Sequence, residues 1–470
     1  MKKIFSAIIC GAVALLNCHA APTVHSTIEH PSWSRNAVIY EVNLRQYSAQ
    51  GTIRAFAEQL PRLRDLGVDI LWFMPIHPIS VVNRKGELGS YYAVQNYKAF
   101  NPEFGTIAEF KAVVAQAHSL GMKVIIDWVP NHTGCDNVWV ARHPDWYAKN
   151  DEGKMYGPFD WTDTYKLDYS NRAMRAAMID AMQFWLREAD IDGFRCDVAG
   201  QVPVDFWNEA RPQLQAVKRD IFMLAEATEP ELTEHCFDMA YNWPMKDLFS
   251  AIAATAGQYT FVAPGQSEPR TFDETHAADI PTLLAQQAEQ YPTDSYMMNM
   301  ITNHDLNSWE GTEFERLGAL QGAFAVLSYT LPGMPLIYTG QETGLNRALQ
   351  FFVKDTPPQW QPTNNFFKFY KELNKIKHTR PELAAGEQGG AVTVYPTASP
   401  DVLVFSRTKG SSSTLVAVNL GKEPQELTFT GATPAGPWRS EYVAGLGDYE
   451  GAALTLPAKI NAGGFIIFMN

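Results

Sequence analysis

The feature that most constrains this chain is a long alternation of short apolar runs with amphipathic stretches, sustained over some three quarters of its 470 residues. Residues 38–42, 68–74, 123–129, 193–198, 221–225, 237–241, 297–301 and 334–338 are rich in Val, Ile, Phe, Met and Tyr and read as strands. Between them, 52–66, 106–120, 171–188, 205–218 and 316–329 place apolar residues three and four apart, and 364–377 repeats that helical spacing after the eighth run. Strands that alternate with helices in this way build right-handed βαβ units on a parallel sheet. Eight such strands predict an α/β fold, a (β/α)8 TIM barrel over residues 30–385, rather than an open doubly wound sheet. No GxGxxG follows the first strand, which argues against a dinucleotide-binding domain.

Two segments break the rhythm. Residues 131–170, between the third strand and its helix, are too long for a structureless loop and predict a small inserted subdomain, bounded at 132–170. Its Trp139, Trp146 and Trp161 could line sugar subsites, but most of them are expected to pack the subdomain's own core. From residue 386 the helical spacing stops, and alternating Val, Phe and Tyr runs between Gly, Ser, Pro and Thr predict an all-β module, a C-terminal β-sandwich domain to residue 470.

The first twenty residues are a different object. Lys2 and Lys3 precede an apolar run over 4–16, followed by Cys18-His19-Ala20, the pattern of a secretory signal peptide. Cleavage after Ala20 gives a soluble exported protein. The stretch Leu15-Leu16-Asn17-Cys18 also resembles a lipoprotein box, with Cys18 as the lipidated residue, although Asn17 stands where a small residue is usual. The expected locations are therefore periplasmic, extracellular or membrane-anchored, with no transmembrane segment in the mature chain. Past the leader, Cys135, Cys196 and Cys236 are widely separated, so neither a zinc site nor a disulfide framework is implied. With 38 Lys and Arg against 51 Asp and Glu the net charge is −13, which excludes nucleic acid as an expected partner and suits a neutral one.

The chemistry sits at the ends of the proposed strands, where a barrel places its active site. The third ends Asp127-Trp128-Val129-Pro130-Asn131-His132, the fourth Gly193-Phe194-Arg195-Cys196-Asp197, the fifth Ala225-Glu226 and the seventh Asn303-His304-Asp305. Any one of these acids could simply cap the next helix. Together they offer what cleavage of a glycosidic bond requires: an acid to protonate the leaving oxygen and a carboxylate to meet positive charge at the anomeric carbon. Alternation along the fourth strand turns Cys196 away from this rim.

In their order and spacing these stretches resemble the signature segments of the alpha-amylase family, glycoside hydrolase family 13. The segments concerned are Asp127 with Asn131-His132, Gly193-Phe194-Arg195 with Asp197, and Asn303-His304-Asp305, with Glu226 at the end of the strand between. Gly89-Ser90-Tyr91-Tyr92 followed by 101–106 is similar to the family's loop after strand two. The resemblance spans most of residues 35–385. It implies a retaining alpha-glycosidase acting on alpha-1,4-glucans or maltooligosaccharides, with Asp197 as nucleophile, Glu226 as acid/base and Asp305 holding the distorted sugar. It further implies that His132 and His304 bind hydroxyls, Tyr92 stacks on the ring, Arg195 positions Asp197, and Asp127 supports Arg195 from behind. Asn131 and Asp168 resemble the family's ligands for calcium, a cofactor the resemblance makes possible; without it, Asp168 would cap the turn before Asn171. Where many members have Lys-His after the nucleophile, this chain has Gly200-Gln201, which leaves the acceptor side open. Two other functions share the fold: an alpha-glucan transglycosylase that passes the same intermediate to a sugar, and a non-catalytic amylase-like binding protein, against which the intact acids argue.

Overall fold

The computed structural model describes residues 24–444 and 455–470. The leader-like segment, with Cys18, lies outside the described residues. Strands β1 (Ile39–Val42), β2 (Ile70–Phe73) and β3 (Lys123–Trp128) come first, and β4 (His132–Gly134) and β5 (Thr164–Lys166) form an antiparallel pair within the insertion. Next come β6 (Gly193–Cys196), β7 (Phe222–Ala225), β8 (Met239–Tyr241), β9 (Tyr296–Asn299) and β10 (Met334–Tyr338). All but β4 and β5 join one closed barrel of parallel neighbours in chain order, and Ile39 of β1 pairs with both Ile70 of β2 and Leu336 of β10.

Alternation along each strand separates two environments. Ile39, Ile70, Trp72, Ile125, Leu224, Met298 and Leu336 fill the barrel interior. Their chain neighbours, among them Val38, Leu71, Ile126, Phe194, Cys196 and Met223, pack outward on the helical layer. Cys196 is accordingly buried away from the interior, as its place on the strand predicts.

Local chemistry sets the helix ends. Thr106 accepts from the Glu109 N–H while the Glu109 carboxylate accepts from the Thr106 N–H, a capping box opening the helix Ile107–Ser119. Asn171 caps Arg172–Ala189 through the N–H groups of Ala173 and Met174. Two expected helices are each broken. The one over 52–66 is Ile53–Ala57 and then Leu60–Leu66, because Pro61 can start a helix but lacks the N–H to continue one. The one over 316–329 begins earlier, at Glu313, and breaks at Gly318, whose φ of 53° leaves the helical region before Gln321–Thr330 resumes. Two further helices, Trp243–Thr255 and Ile280–Gln290, fill the span between β8 and β9.

Beyond the helix Asn365–Thr379 the chain forms an antiparallel sheet: β11 (Ala391–Val394), β12 (Val402–Lys409), β13 (Ser412–Asn419), β15 (Ser440–Ala444) and β17 (Phe465–Met469), in the order β11-β12-β13-β17-β15. The short strands β14 (Gln425–Glu426) and β16 (Lys459–Ile460) pair beside it. Leu403, Phe405, Val416, Val418, Phe465 and Ile467 point into the barrel's outer core. Val402, Val404, Leu415, Ala417, Ile466 and Phe468 face the other way, under Leu427, Phe429 and Trp438. Both faces are covered, so these strands read as nearly continuous apolar runs. Among the described residues no helix is long and apolar enough to cross a membrane.

Candidate active site

Asp127, on β3, and Arg195, on β6, share the inward parity of Ile125, so both side chains enter the barrel mouth and are fully buried. Gly193 opens β6 at φ 151°, and a Cβ there would lie 1.8 Å from the Phe222 carbonyl oxygen. Glycine is what lets β6 approach β7 so closely. Asp197 and Glu226 each follow the last residue of their strand, β6 and β7, and the Glu226 N–H donates to the Cys196 carbonyl (3.0 Å). His304 and Asp305 open the short helical segment beyond β9, whose ladder ends at Asn299, not at 301 as the apolar run implies.

Arg195 is the hub. Its Nη1 lies 2.9 Å from Asp127 Oδ1 and 3.1 Å from Asp197 Oδ1, and its Nη2 lies 2.8 Å from Glu226 Oε2, off the line of a hydrogen bond. Its Nε donates to the Tyr241 hydroxyl (3.1 Å), and the guanidinium carbon sits 5.1 Å from the Trp72 ring centroid. Asp127 also accepts at Oδ2 from Trp72 Nε1 (3.2 Å) and the Tyr92 hydroxyl (3.1 Å). Both its oxygens accept from buried donors, so it orients Arg195 rather than reacting. Burial pushes Asp127 up to about 6, with Arg195 pulling the other way.

Asp197 Oδ2 is buried and has no hydrogen-bond partner, leaving a lone pair free toward the cavity. Burial, then the charge of Glu226, raises Asp197 well above the usual carboxylate range, against the pull of Arg195. One ionised and one protonated carboxyl is the state that displacement with acid assistance needs. Val198, the residue after Asp197, is held at φ 37°, a costly conformation for a β-branched residue. The turn aims its N–H at Glu226 Oε2 (2.8 Å) and so ties the two acids together.

The carboxylates open on a cavity of about 550 Å3 lined also by Tyr92, His132 and His304. Tyr92 lies nearly parallel to His304, centroids 5.5 Å apart, and their Oη and Nε2 atoms are 2.7 Å apart. Asp305 is 37% exposed, its Oδ2 3.3 Å from His304 Nε2, so it faces the open space. Both ring nitrogens of His132 are buried without a partner, and burial lowers it to about 3. A neutral imidazole with an unused donor and acceptor beside a polar cavity fits a sugar hydroxyl. The structure thus gathers Asp127, His132, Arg195, Asp197, Glu226, His304, Asp305 and Tyr92 in one place.

Other participants escape sequence reasoning. Glu41 on β1 is buried against His304 Nδ1. A lone acid inside the apolar run Val38-Ile39-Tyr40-Glu41-Val42 was its signal. Trp309, Phe351 and Phe352 line the cavity from the loops after β9 and β10 and carry no local signature. Of the insertion's tryptophans, Trp146 is buried and Trp139 packs against it at 5.2 Å, whereas Trp161 lines the cavity 5.1 Å from His132.

Asn131 and Asp168 do approach each other, since the Leu167 N–H donates to the Asn131 carbonyl (3.1 Å). Asp168 closes a turn, accepting at Oδ1 from the Ser170 N–H (2.9 Å) and at its carbonyl from the Asn171 N–H (3.2 Å). Among the described residues no three His, Cys, Asp or Glu gather where a metal ion could sit. Calcium takes six or more oxygens. These two side chains supply only a fraction of such a shell.

A family profile for the alpha-amylase catalytic domain matches residues 34–166 and 142–357. The crystal structure of an alpha-amylase from Lactobacillus plantarum superposes with a TM-score of 0.76 at 27% identity, covering 93% of this chain and 99% of that one. A maltogenic alpha-amylase from Thermotoga neapolitana gives a TM-score of 0.71 at 30% identity, covering 84% and 88%. The alpha-amylase of Haloarcula japonica is 25% identical over 439 residues, 90% of this chain and 60% of that protein. Neopullulanase 2 of Thermoactinomyces vulgaris is 27% identical over 452 residues, 84% of this chain and 71% of its own. The chain therefore spans about 60% to 71% of the length of these curated relatives. With the profile matched across the barrel that carries the acids, the chain belongs to the alpha-amylase family of glycoside hydrolases.

Proposed function

We propose that this protein hydrolyses alpha-1,4-glucosidic bonds of starch-like glucans or maltooligosaccharides through a covalent glycosyl-enzyme. The observation that carries the reading is Arg195, buried and touching Asp127, Asp197 and Glu226 at once while Asp197 Oδ2 stays unpartnered. Asp197 Oδ2 attacks the anomeric carbon as the glycosidic C–O bond breaks, and Glu226 gives its proton to the departing oxygen. Water then attacks the same carbon, Glu226 takes the water proton, and the bond to Asp197 breaks. Two inversions return the alpha configuration. Asp305, His304 and His132 hold hydroxyls of the reacting sugar, and Tyr92 gives it a flat face. Relatives named cyclomaltodextrinase and neopullulanase support an alpha-glucan substrate.

The test is chromatography of maltoheptaose digests by the wild type, Asp197→Asn and Glu226→Gln. Each variant is expected to lose on the order of 10^4-fold in kcat while keeping its melting temperature. Wild-type turnover by Asp197→Asn would sink the assignment. Inactivity of the wild type on every alpha-glucan would favour an amylase-like binding protein instead.

Transfer of the same intermediate to a sugar is a second reading, supported by relatives named alpha-1,4-glucan:maltose-1-phosphate maltosyltransferase. In the Gly200-Gln201 stretch, where this chain departs from the family's Lys-His, Glu229 packs so closely that a Cβ on Gly200 would lie 2.7 Å from its carboxylate. Products longer than maltoheptaose would establish transglycosylation. The basic and apolar pattern of residues 2–20 supports action outside the cytoplasm, as a released protein or one anchored through Cys18. Sequencing the mature N-terminus and labelling with a radioactive fatty acid separate those routes.

A further inference from the structure

The loop over residues 81–89 crosses the barrel mouth and is fastened at both ends. Toward the insertion, the Val81 N–H donates to Asp136 Oδ2 (3.0 Å), Asn83 Nδ2 donates to the Thr162 carbonyl (3.3 Å), and Lys85 Nζ pairs with Asp163 Oδ1 (3.2 Å). On the far side, the Leu88 N–H donates to the Phe352 carbonyl (2.8 Å). Arg45, buried behind it, donates to the carbonyls of Leu88 (3.1 Å), Gly89 (3.1 Å) and Phe351 (2.9 Å). Gly86, at φ 63°, lies so close to the next loop that a Cβ would fall 2.5 Å from the Phe352 Cβ. No sugar ring fits between the strap and that loop.

The strap therefore walls off one side of the cavity, and Lys85, Asp163 and Trp161 line the space it encloses. The wall stands on the side of Tyr92, which is stacked near Phe351 at 6.4 Å. Glu226 protonates the oxygen of the departing chain, so the departing chain lies on the Glu226 side. The enclosed side receives the other part of the substrate, the part that ends in a free 4-hydroxyl. The Asp163 carboxylate is buried and can only accept hydrogen bonds; the Lys85 ammonium is half-buried and can only donate them. Together they match a hydroxyl that must both donate and accept.

Building on the reading above, we propose that this enzyme is exo-acting. The strap over 81–89 stops the glucan, and the Lys85–Asp163 pair recognises its non-reducing terminal sugar, so short oligosaccharides are released from that end. The substrate class is thus linear maltooligosaccharides with an unmodified terminus, in preference to internal bonds of long or cyclic chains.

The experiment compares 4-nitrophenyl maltoheptaoside with the same compound carrying a 4,6-O-ethylidene block on its terminal sugar. The wild type is expected to cleave the free substrate and to lose on the order of a hundredfold or more in kcat/KM on the blocked one. Lys85→Met is expected to raise KM for maltotriose about tenfold, the worth of one charged hydrogen bond, with kcat little changed. A variant with Val82–Glu87 replaced by two glycines is expected to gain activity on the blocked substrate. Equal cleavage of free and blocked substrates would overturn the exo assignment and leave the glycosidase reading standing. An unchanged KM in Lys85→Met would overturn the role of the ion pair. Cleavage of neither substrate would overturn the glycosidase reading itself, and the inference with it. The wild-type comparison decides the matter even if the shortened loop fails to fold.

Discussion

At the scale of single residues, the site is a set of charges held where water cannot screen them. His304 shows the consequence for pH. Burial works against its protonation, yet Asp305 and Glu41 outweigh burial and raise it from 6.5 to about 9. A group raised on folding stabilises the fold fully below its unfolded value, so this contribution is complete below pH 6.5 and is lost as pH climbs through 9. Chemical denaturation between pH 6 and 10 is expected to show a fall of a few kcal/mol, and Glu41→Gln is expected to flatten it. Val198 offers a second check. Relieving its left-handed backbone by Val198→Gly is expected to stabilise the protein by about 1 kcal/mol. The same change lowers kcat, because the N–H that holds Glu226 loses its fixed direction; melting and turnover measured on one preparation test both halves.

At the scale of elements, Asp127, Asp197 and Glu226 were legible because each lies on or directly after a regular strand whose alternation fixes which way it points, whereas Asp305 stands beyond the end of β9. Asp127 and Arg195 share the parity of Ile125 along their strands, and their inward direction follows from that; Asp197 continues the same alternation one residue past β6. Gly193 was legible as part of a motif, but its physical reason, the 1.8 Å approach to Phe222, belongs to the neighbouring strand. Gly193→Ala is expected to cost at least about 3 kcal/mol and to abolish activity, since β6 cannot move without carrying Arg195 and Asp197 with it. Circular dichroism melts beside an activity assay would show both. The broken helices at Pro61 and Gly318 mark where helical spacing continues while backbone chemistry does not. Least legible were Trp309, Phe351, Phe352 and the strap. Their positions are set by contacts between loops far apart in sequence, such as Leu88 with Phe352, and no local periodicity encodes those. Glu41 could have been found as a charge stranded in an apolar run, but its pairing with His304 could not.

At the scale of the whole molecule, barrel and terminal sheet behave as one body. Arg407 on β12 is buried and donates to the carbonyls of Gly390 (2.8 Å), Thr330 (3.2 Å) and Ala384 (3.4 Å), reaching from the sheet into the helical layer. Arg407→Ala strands these carbonyls and is expected to cost roughly 2–4 kcal/mol; calorimetry is expected to show one unfolding transition for the wild type and two for the variant. The closure of the barrel has a kinetic side as well. Ile39 finds its second neighbour only in Leu336, so one edge of β1 stays unpaired until nearly all the intervening chain is in place. Contacts so remote in sequence make folding slow and leave an exposed strand edge in every earlier species. A nascent chain of this kind remains threadable through a narrow pore for most of its synthesis, and is open to aggregation for just as long.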